Sequence, residues 1–365
     1  MRCLVVTGSS GGHIFPAVSL IQALKDKDPS VDILFVLPDQ ARNIPFTLGP
    51  LCRIKYLCIT ALKLQLDFKN FRAILKLAKG SFRSLFILIE YRPDIVVSFG
   101  GIGSVPLVLF AWIFRIKTLI HEQNVIPGRA NKLLSRFVDR LAISFEQTKK
   151  YLAIIPQKIV LTGNPLRREL KLVEPLEAFK FFGFTESKFT VLVVGGSQGS
   201  HRINEYFLKA ASLITNKLGI QIIHIAGNFD YDWLEKEYRD LGLDVKVKPF
   251  FDKMEYAYSI SDLAICRAGA TTIAELIKFK LPAVLIPYPF AYQHQLANAK
   301  VLADRGSAVI IEDDKLEKQS LVQLLDDFMK NPGKIERMRY GYADMVVAGA
   351  DQLLAKEVFS LGLKE

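Results

Sequence analysis

The sequence predicts an α/β protein of two doubly wound domains with parallel sheets, and three observations carry that prediction. Short Val/Ile/Leu runs alternate with longer amphipathic stretches, as they do in βαβ units. The pattern restarts near residue 189, where Phe189-Thr190-Val191-Leu192-Val193-Val194 before Gly195-Gly196 mirrors Leu4-Val5-Val6-Thr7-Gly8. The chain has 365 residues, half of them hydrophobic, which is enough for a core in each of two domains of roughly 100–200 residues.

In the first half, strands are expected at 2–8, 31–37, 94–99, 117–121 and 158–161. In the second half they are expected at 189–196, 221–226, 245–248, 263–266, 283–287 and 307–311. The first domain is drawn as 1–162 and the linker as 163–170, opening with Gly163-Asn164-Pro165-Leu166-Arg167. The second domain is drawn as 171–335, with a last helical stretch, 336–365, able to pack back on the first domain. Ligands of open parallel sheets bind beyond the carboxyl ends of the strands. Two such domains face to face would make a cleft with a glycine loop on each side.

Bulk properties exclude several classes. A formal charge of +11 draws the chain to polyanions: nucleic acid, phosphorylated substrates or an anionic membrane face. Nucleic acid is set aside, because no binding motif or aromatic platform accompanies the charge. The cysteines Cys3, Cys52, Cys58 and Cys266 show no C-x-x-C spacing and read as thiols in a reducing compartment. No signal peptide is expected, since Met1-Arg2 runs directly into a strand. The longest apolar run, Val105 to Phe114, is too short for a bilayer span, which takes about 20 residues. The expected location is the cytosol or a membrane surface.

Five stretches carry chemistry. The first is Gly8-Ser9-Ser10-Gly11-Gly12-His13, a glycine turn after a strand with a helix beyond it. Glycines let backbone N–H groups approach an anion, and the helix adds its positive end. His13 at the helix start is either a general base beside an anion or a capping residue. The second is Ser98-Phe99-Gly100-Gly101-Ile102-Gly103-Ser104, again after a strand, so this domain is expected to hold a diphosphate of its own. The third is His121-Glu122-Gln123-Asn124 with Pro127-Gly128-Arg129-Ala130-Asn131-Lys132 behind it. Four polar side chains at a strand end require partners or a ligand. His121 and Glu122 could start a metal site, but nothing nearby completes it.

The fourth stretch is Gly195-Gly196-Ser197-Gln198-Gly199-Ser200, read as a second phosphate cradle with Asn204 one turn into its helix. The fifth runs from Cys266-Arg267-Ala268-Gly269 through Ala270-Thr271-Thr272-Ile273-Ala274-Glu275, joining a strand to a helix. Its small residues admit a flat ring, and Glu275 is either a clamp for a ribose diol or a solvated helix residue. Beyond it, Gln295 and Asn298 lie three apart on one helix face and suit sugar hydroxyls. Asp230-Tyr231-Asp232 is a D-x-D, read as a helix start and not a metal motif.

Together the motifs H-E-Q-N-x-x-P-G-x-x-N-K, G-N-P-x-R, G-G-S-Q-G, R-A-G-A-x-T-x-x-E-L and H-Q-x-x-N-A closely resemble the MurG family of N-acetylglucosaminyltransferases of peptidoglycan synthesis. The resemblance covers essentially the whole chain. It implies a GT-B fold and transfer of N-acetylglucosamine from UDP-N-acetylglucosamine with inversion, without metal or other cofactor. It implies undecaprenyl-diphosphate-linked N-acetylmuramoyl-pentapeptide (lipid I) as acceptor and lipid II as product. By motif position it makes Ser10, Gly11, Gly12, Asn124, Arg167, Ser197, Phe251, Ala270–Glu275 and Gln295 donor positions, and Asn298, on the same helix face as Gln295, is counted with them. The resemblance makes His13, His121 and Glu122 catalytic or acceptor residues, and the second glycine loop offers Gly100, Gly101, Gly103 and Ser104 to the acceptor diphosphate. It also implies a peripheral enzyme on the cytoplasmic face of a bacterial membrane, with an anionic lipid surface and cell-wall synthesis or division proteins as partners.

Four positions depart from the family pattern. Ser9 and Ser10 stand where the family usually has glycine and threonine, Ile102 replaces an aromatic residue, and Phe251 replaces an aliphatic one. Lys69, Arg72, Lys76, Lys79 and Arg83 fall within about 80° on a helix, with Phe68, Phe71, Leu75, Phe82 and Ile89 on the other side. With Phe110, Trp112 and Phe114 this reads either as a solvated face or as a dock for anionic lipid, and Gly80 is expected to interrupt the helix. Three other functions remain open: a UDP-sugar epimerase of the same fold, a glycolipid synthase using diacylglycerol, and a non-catalytic nucleotide-sugar sensor.

Overall fold

The computed structural model of the chain describes residues 1–43, 48–57, 69–196, 198–291 and 293–363, without the side chains of 43, 49 and 69–78. The chain divides into two compact units, Met1–Arg167 with Val347–Glu365, and Arg168–Val346.

The first unit runs β1 (Arg2–Val6), α1 (Gly11–Lys27), β2 (Asp32–Pro38), β3 (Arg53–Leu57), α2 (Lys69–Tyr91), β4 (Ile95–Ser98) and α3 (Val105–Ile113). It continues with β5 (Lys117–Glu122), α4 (Arg129–Leu134), β6 (Arg140–Ile143) and β7 (Ile159–Leu161). Its seven strands lie in the order β3-β2-β1-β4-β5-β6-β7. Every pairing is parallel.

Successive strand residues feed opposite cores, as the period of two requires. Cys3, Val5, Ile33, Phe35 and Val97 meet Ile14, Leu20, Ile21 and Leu24 of α1 on one face. Leu354, Val358 and Phe359 of the chain's last helix join that same core. Leu4, Val6, Leu34 and Val96 meet Ile87, Leu88, Leu107 and Leu134 on the other face. Covering both faces explains why these strands read as unbroken apolar runs.

The second unit contains α5 (Pro175–Phe182), β8 (Phe189–Val194), α6 (His201–Ala211), β9 (Ile220–Ile225), α7 (Tyr231–Arg239), β10 (Asp244–Lys248) and α8 (Met254–Ile260). After these come β11 (Leu263–Cys266), α9 (Ala270–Phe279), β12 (Ala283–Leu285), α10 (His294–Ala303), β13 (Ala308–Ile310), α11 (Lys318–Lys330) and α12 (Pro332–Tyr340). The last helix, α13 (Ala350–Gly362), belongs to the first unit. The six strands lie in the order β10-β9-β8-β11-β12-β13, again all parallel.

Both sheets are doubly wound, and each reverses direction at one point: between β1 and β4, and between β8 and β11. The crevice outside the strand ends at such a point is where ligands bind. The glycine loops open there.

Two strands depart from expectation. β3 is an edge strand, Arg53-Ile54-Lys55-Tyr56-Leu57, in which Arg53 and Lys55 break up the apolar residues, so it lacks an apolar run. β6 has only four residues and begins at Arg140. Gly80 does not interrupt its helix, because α2 runs through it. Gly80 and Ser84 are buried on the same stripe as Ile87, Leu88 and Tyr91.

Candidate functional site

In the first unit the two glycine loops leave neighbouring strands and touch. Strand β4 ends with the Phe99 N–H donating to the Val6 carbonyl at 2.9 Å. Gly101 has φ +89°, and a Cβ there would come within 2.7 Å of the Gly8 Cα. Only glycine allows that approach. A Cβ on Gly8 would lie 2.7 Å from His13 Nδ1, so the imidazole rests on the Gly8 backbone. Ser10 Oγ is 3.0 Å from the same nitrogen. His13 is half-buried, and burial lowers its pKa to about 4, so the ring is neutral at physiological pH. Gly11 and Gly12 open α1, and Ser9 needs no left-handed backbone to reach them.

The second loop spends its own hydroxyls. Ser98 Oγ accepts from the Gly100 N–H at 3.1 Å, and Ser104 Oγ donates to the Gly101 carbonyl at 2.8 Å. Gly103 lies in the short turn Ile102–Ser104, with the Ile102 side chain largely exposed. This loop therefore presents backbone and not side-chain groups. Arg167 places its guanidinium 5.0 Å from the Phe15 ring centroid, beside the first turn of α1.

His121 and Glu122 are fully inside the unit. His121 Nε2 donates to the Gly163 carbonyl at 2.9 Å, and Nδ1 accepts from Gln123 Nε2 at 3.0 Å. Both ring nitrogens are engaged, and burial lowers the pKa to about 4. Glu122 Oε1 accepts from the Asn124 N–H at 2.9 Å and its side-chain amide at 3.3 Å. Oε2 accepts from the Gly128 N–H at 2.9 Å and Asn131 Nδ2 at 2.8 Å. Burial raises the Glu122 carboxyl pKa while the four donated bonds oppose that rise. His121 Nδ1 and both Glu122 oxygens hold the loop that follows, and His121 Nε2 ties this strand end to Gly163.

In the second unit the corresponding loop is just as tight. Gly199 has φ +79°, and a Cβ there would meet the Ala226 carbonyl. Arg267 joins the two loops of this reversal point. Its guanidinium donates to Ser200 Oγ at 2.8 Å and the Ile286 carbonyl at 3.1 Å, and it pairs with Asp313. Helix α9 begins at Ala270, so its first N–H groups have no intrahelical partner. Thr271 Oγ is buried there without a hydrogen-bond partner. Thr272 and Ala274 are half-buried. Ile273 is fully buried, and its N–H donates to the Gly269 carbonyl at 2.9 Å. Glu275 accepts from the Tyr258 hydroxyl at 2.8 Å.

Gln295 and Asn298 grip opposite sides of Ala268. Gln295 Oε1 accepts from the N–H groups of Ala268 at 3.1 Å and Tyr288 at 2.9 Å. Asn298 Nδ2 donates to the Ala268 carbonyl at 3.2 Å. Asn298 is fully buried, which corrects the expectation that its amide meets a sugar. Phe251 is likewise buried, against Phe181 and Phe182, and only its backbone is available to a ligand. Ser197 lies outside the described residues.

Asn204 is fully buried and donates to the Ala226 carbonyl at 2.8 Å and Asp230 at 2.8 Å. Asp230 stands at the N-cap of α7 but makes no cap bond, pairing instead with Asn204 and with His201 Nδ1 at 2.9 Å. Among the described residues no group of three or more His, Cys, Asp or Glu side chains could hold a metal. Arg267 and Asn131 shape the site and were missing from the expected set. Arg267 lies within the quoted strand-to-helix run, and Asn131 follows Gly128 at a spacing that puts it in the first helical turn.

The buried histidines set an acid limit on stability. His121 and His224 have pKa values lowered by burial to about 4 and about 3. The unfolded chain binds their protons first, so stability is fully present above about pH 6.5 and falls as pH drops toward those values. At pH 5.5 each is expected to cost its unit about 1.4 kcal/mol relative to neutral pH. Urea unfolding at pH 7.5 and 5.5 measures this, and equal midpoints would refute it.

Both units are doubly wound, with glycine loops at the reversal points where ligands of such sheets bind. The model of the glycosyltransferase family 28 N-terminal domain matches residues 3–143, and that of the C-terminal domain matches 190–353. A relative from Thermodesulfovibrio yellowstonii, a UDP-N-acetylglucosamine–N-acetylmuramyl-(pentapeptide) pyrophosphoryl-undecaprenol N-acetylglucosamine transferase, is 37% identical over 343 residues. That match covers 93% of this chain and 92% of the relative. The crystal structure of Acinetobacter baumannii MurG superposes with a TM-score of 0.77 at 25% identity, covering 98% of this chain and 99% of that one. UDP-GlcNAc 2-epimerase from Neisseria meningitidis shares the fold alone, with a TM-score of 0.67 at 15% identity over 99% of this chain and 100% of its own. The fold is GT-B. The chain belongs to glycosyltransferase family 28 and, within it, to the MurG family of N-acetylglucosamine transferases.

Proposed function

We propose that the chain transfers N-acetylglucosamine from UDP-N-acetylglucosamine to lipid I, giving lipid II for peptidoglycan synthesis, by an inverting reaction that uses no metal. The observation that carries the mechanism is His13: a neutral imidazole fixed on Gly8, beside Ser10, where two glycine loops touch. In the working tautomer Nδ1–H donates to Ser10 Oγ, leaving the Nε2 lone pair to take a proton. The acceptor diphosphate lies on the loops at 8–13 and 98–104. His13 removes the proton from the acceptor hydroxyl, and its oxygen attacks the anomeric carbon opposite the leaving group. The bond to the β-phosphate oxygen breaks, and UDP leaves with that electron pair. N–H groups at the start of α9 and in the 195–200 loop stabilise its charge, as a metal does in other enzymes.

His121 and Glu122 position this site and do not touch substrate, since their polar atoms already have partners. Gln295, through its amide N–H groups, orients the sugar, and Glu275 holds the ribose.

The reading extends to the membrane. Phe82 and Phe86 on α2 are 64% and 66% exposed, and Ile89, Trp112, Ile113 and Phe114 are exposed with them. Lys79, Arg83 and Arg115 are exposed nearby. An apolar patch rimmed by cations suits docking on anionic lipid, at about 1 kcal/mol per basic residue. The side chains of Lys69, Phe71, Arg72, Leu75 and Lys76, and all of Phe68, lie outside the described residues. Among the described residues no helix is long and apolar enough to cross a membrane.

One experiment tests the whole reading. The purified chain, UDP-N-acetylglucosamine and a short-chain lipid I analogue are combined in excess chelator, with and without anionic vesicles. Disaccharide product and UDP are expected in equal amounts, faster with vesicles at low salt. Donor consumption without acceptor would favour an epimerase, and UDP binding without release a sensor. Loss of activity in chelator would overturn the metal-free mechanism, and indifference to vesicles the membrane face.

A further inference from the structure

Asn131 lies at the base of a stack that ends at His13. It sits in the first turn of α4 and is 3% exposed. Its Nδ2 donates to Glu122 Oε2 at 2.8 Å and lies 3.4 Å from the His121 carbonyl oxygen. That fixes the amide's orientation, because the reverse would set Oδ1 against a carboxylate oxygen with no proton between them. Oδ1 is buried without a hydrogen-bond partner. The amide lies flat against Gly100, whose φ is +89°: a Cβ there would be 3.2 Å from both Nδ2 and Oδ1.

The next layers follow without a gap. Gly101 presses on the Gly8 backbone, and Gly8 presses on His13 Nδ1: a Cβ on either glycine would come within 2.7 Å of its neighbour. The order is therefore Glu122 carboxylate, Asn131 amide, Gly100-Gly101 backbone, Gly8 backbone, His13 imidazole. A close-packed interior passes a displacement along and does not absorb it. Two of these layers, three glycines in all, are backbone with no side chain to adjust. Asn131 is the adjustable piece whose size sets the height of the stack.

We propose that Asn131 is a positioning residue for transfer: it props the 98–104 loop against the 8–13 loop and so sets the distance between the acceptor's diphosphate and His13. This inference rests on reading those loops as the acceptor site. Asn131 touches no substrate. Its loss would open a space under Gly100, let the second loop sink, and move backbone donors away from the diphosphate. The loops read as holding the UDP diphosphate, at 195–200 and the start of α9, belong to the other compact unit and would keep their geometry.

The test is Asn131→Ala, with acceptor kinetics, UDP affinity and thermal unfolding measured on the full chain. A misplacement of about 1 Å is worth about 100-fold, so kcat/KM for the lipid I analogue should fall by about that factor. UDP affinity should stay within about twofold. Asn131→Ser, which keeps a small polar group, should fall between the two. If the alanine variant does not fold, the serine variant decides by the same split. Acceptor kinetics within about threefold of wild type, or equal losses in acceptor kinetics and UDP affinity, would overturn the proposal. A wild-type chain that forms no product removes the acceptor reading and this inference with it. A wild-type chain that transfers while Asn131→Ala keeps its acceptor kinetics removes the inference alone.

Discussion

Replacing His13 by alanine is expected to lower turnover about 10²–10⁴-fold while UDP affinity changes less than about twofold. Proton removal belongs to the transition state, so its loss appears in kcat and not in donor binding. The site favours this assignment over capping. The ring is held by Gly8 below and Ser10 beside it, and burial keeps it neutral with a pKa lowered to about 4. A base must be unprotonated, and this one stays so down to that value. The acid limb of kcat/KM, which reports the free enzyme, is therefore expected near pH 4 instead of near pH 6.5, the value of a free imidazole. Near-normal turnover of His13→Ala would remove it as the base.

Glu122→Gln is expected to damage the first unit nearly as much as Glu122→Ala, although glutamine matches glutamate in size. The carboxylate receives two donors on Oε1 and two on Oε2. A carboxamide has one acceptor oxygen, so its NH₂ must face two donors whichever way it turns. Two bonds are lost and buried donors are opposed, worth about 3–5 kcal/mol together. The loop from Asn124 to Asn131 would loosen, and acceptor kinetics would suffer through the Gly100 contact. Urea unfolding and acceptor kcat/KM on both variants measure it. A glutamine variant with wild-type stability would show that fewer than four donors matter.

The restart at residue 189 and the apolar runs were legible because the strands of a covered parallel sheet bury both faces. Five of the six strands of the second unit were visible that way; β10, at the sheet edge, showed only its alternating Val245 and Val247. β3 and β6 were not. An edge strand with one exposed side lacks the apolar run that marks its neighbours, and four residues headed by Arg140 fall below any pattern. The glycine loops were found because a strand, a glycine turn and a helix announce themselves locally. His121 and Glu122 were found as polar residues at a strand end and Asn298 as an amide sharing a helix face with Gln295, but polarity does not reveal whether the partner is a ligand or the protein's own backbone.

Local chemistry in the chain thus determined two Rossmann-like units, their anion-cradling turns and His13 at a helix start. Tertiary structure alone decided that the loops after β1 and β4 meet, because strands distant in sequence become neighbours only through the crossover order of the sheet. It also decided that Glu122, Asn131 and Asn298 spend their polar atoms inside the protein. Hydrogen-bond partners are chosen by proximity after folding, and spacing along the chain does not encode that proximity.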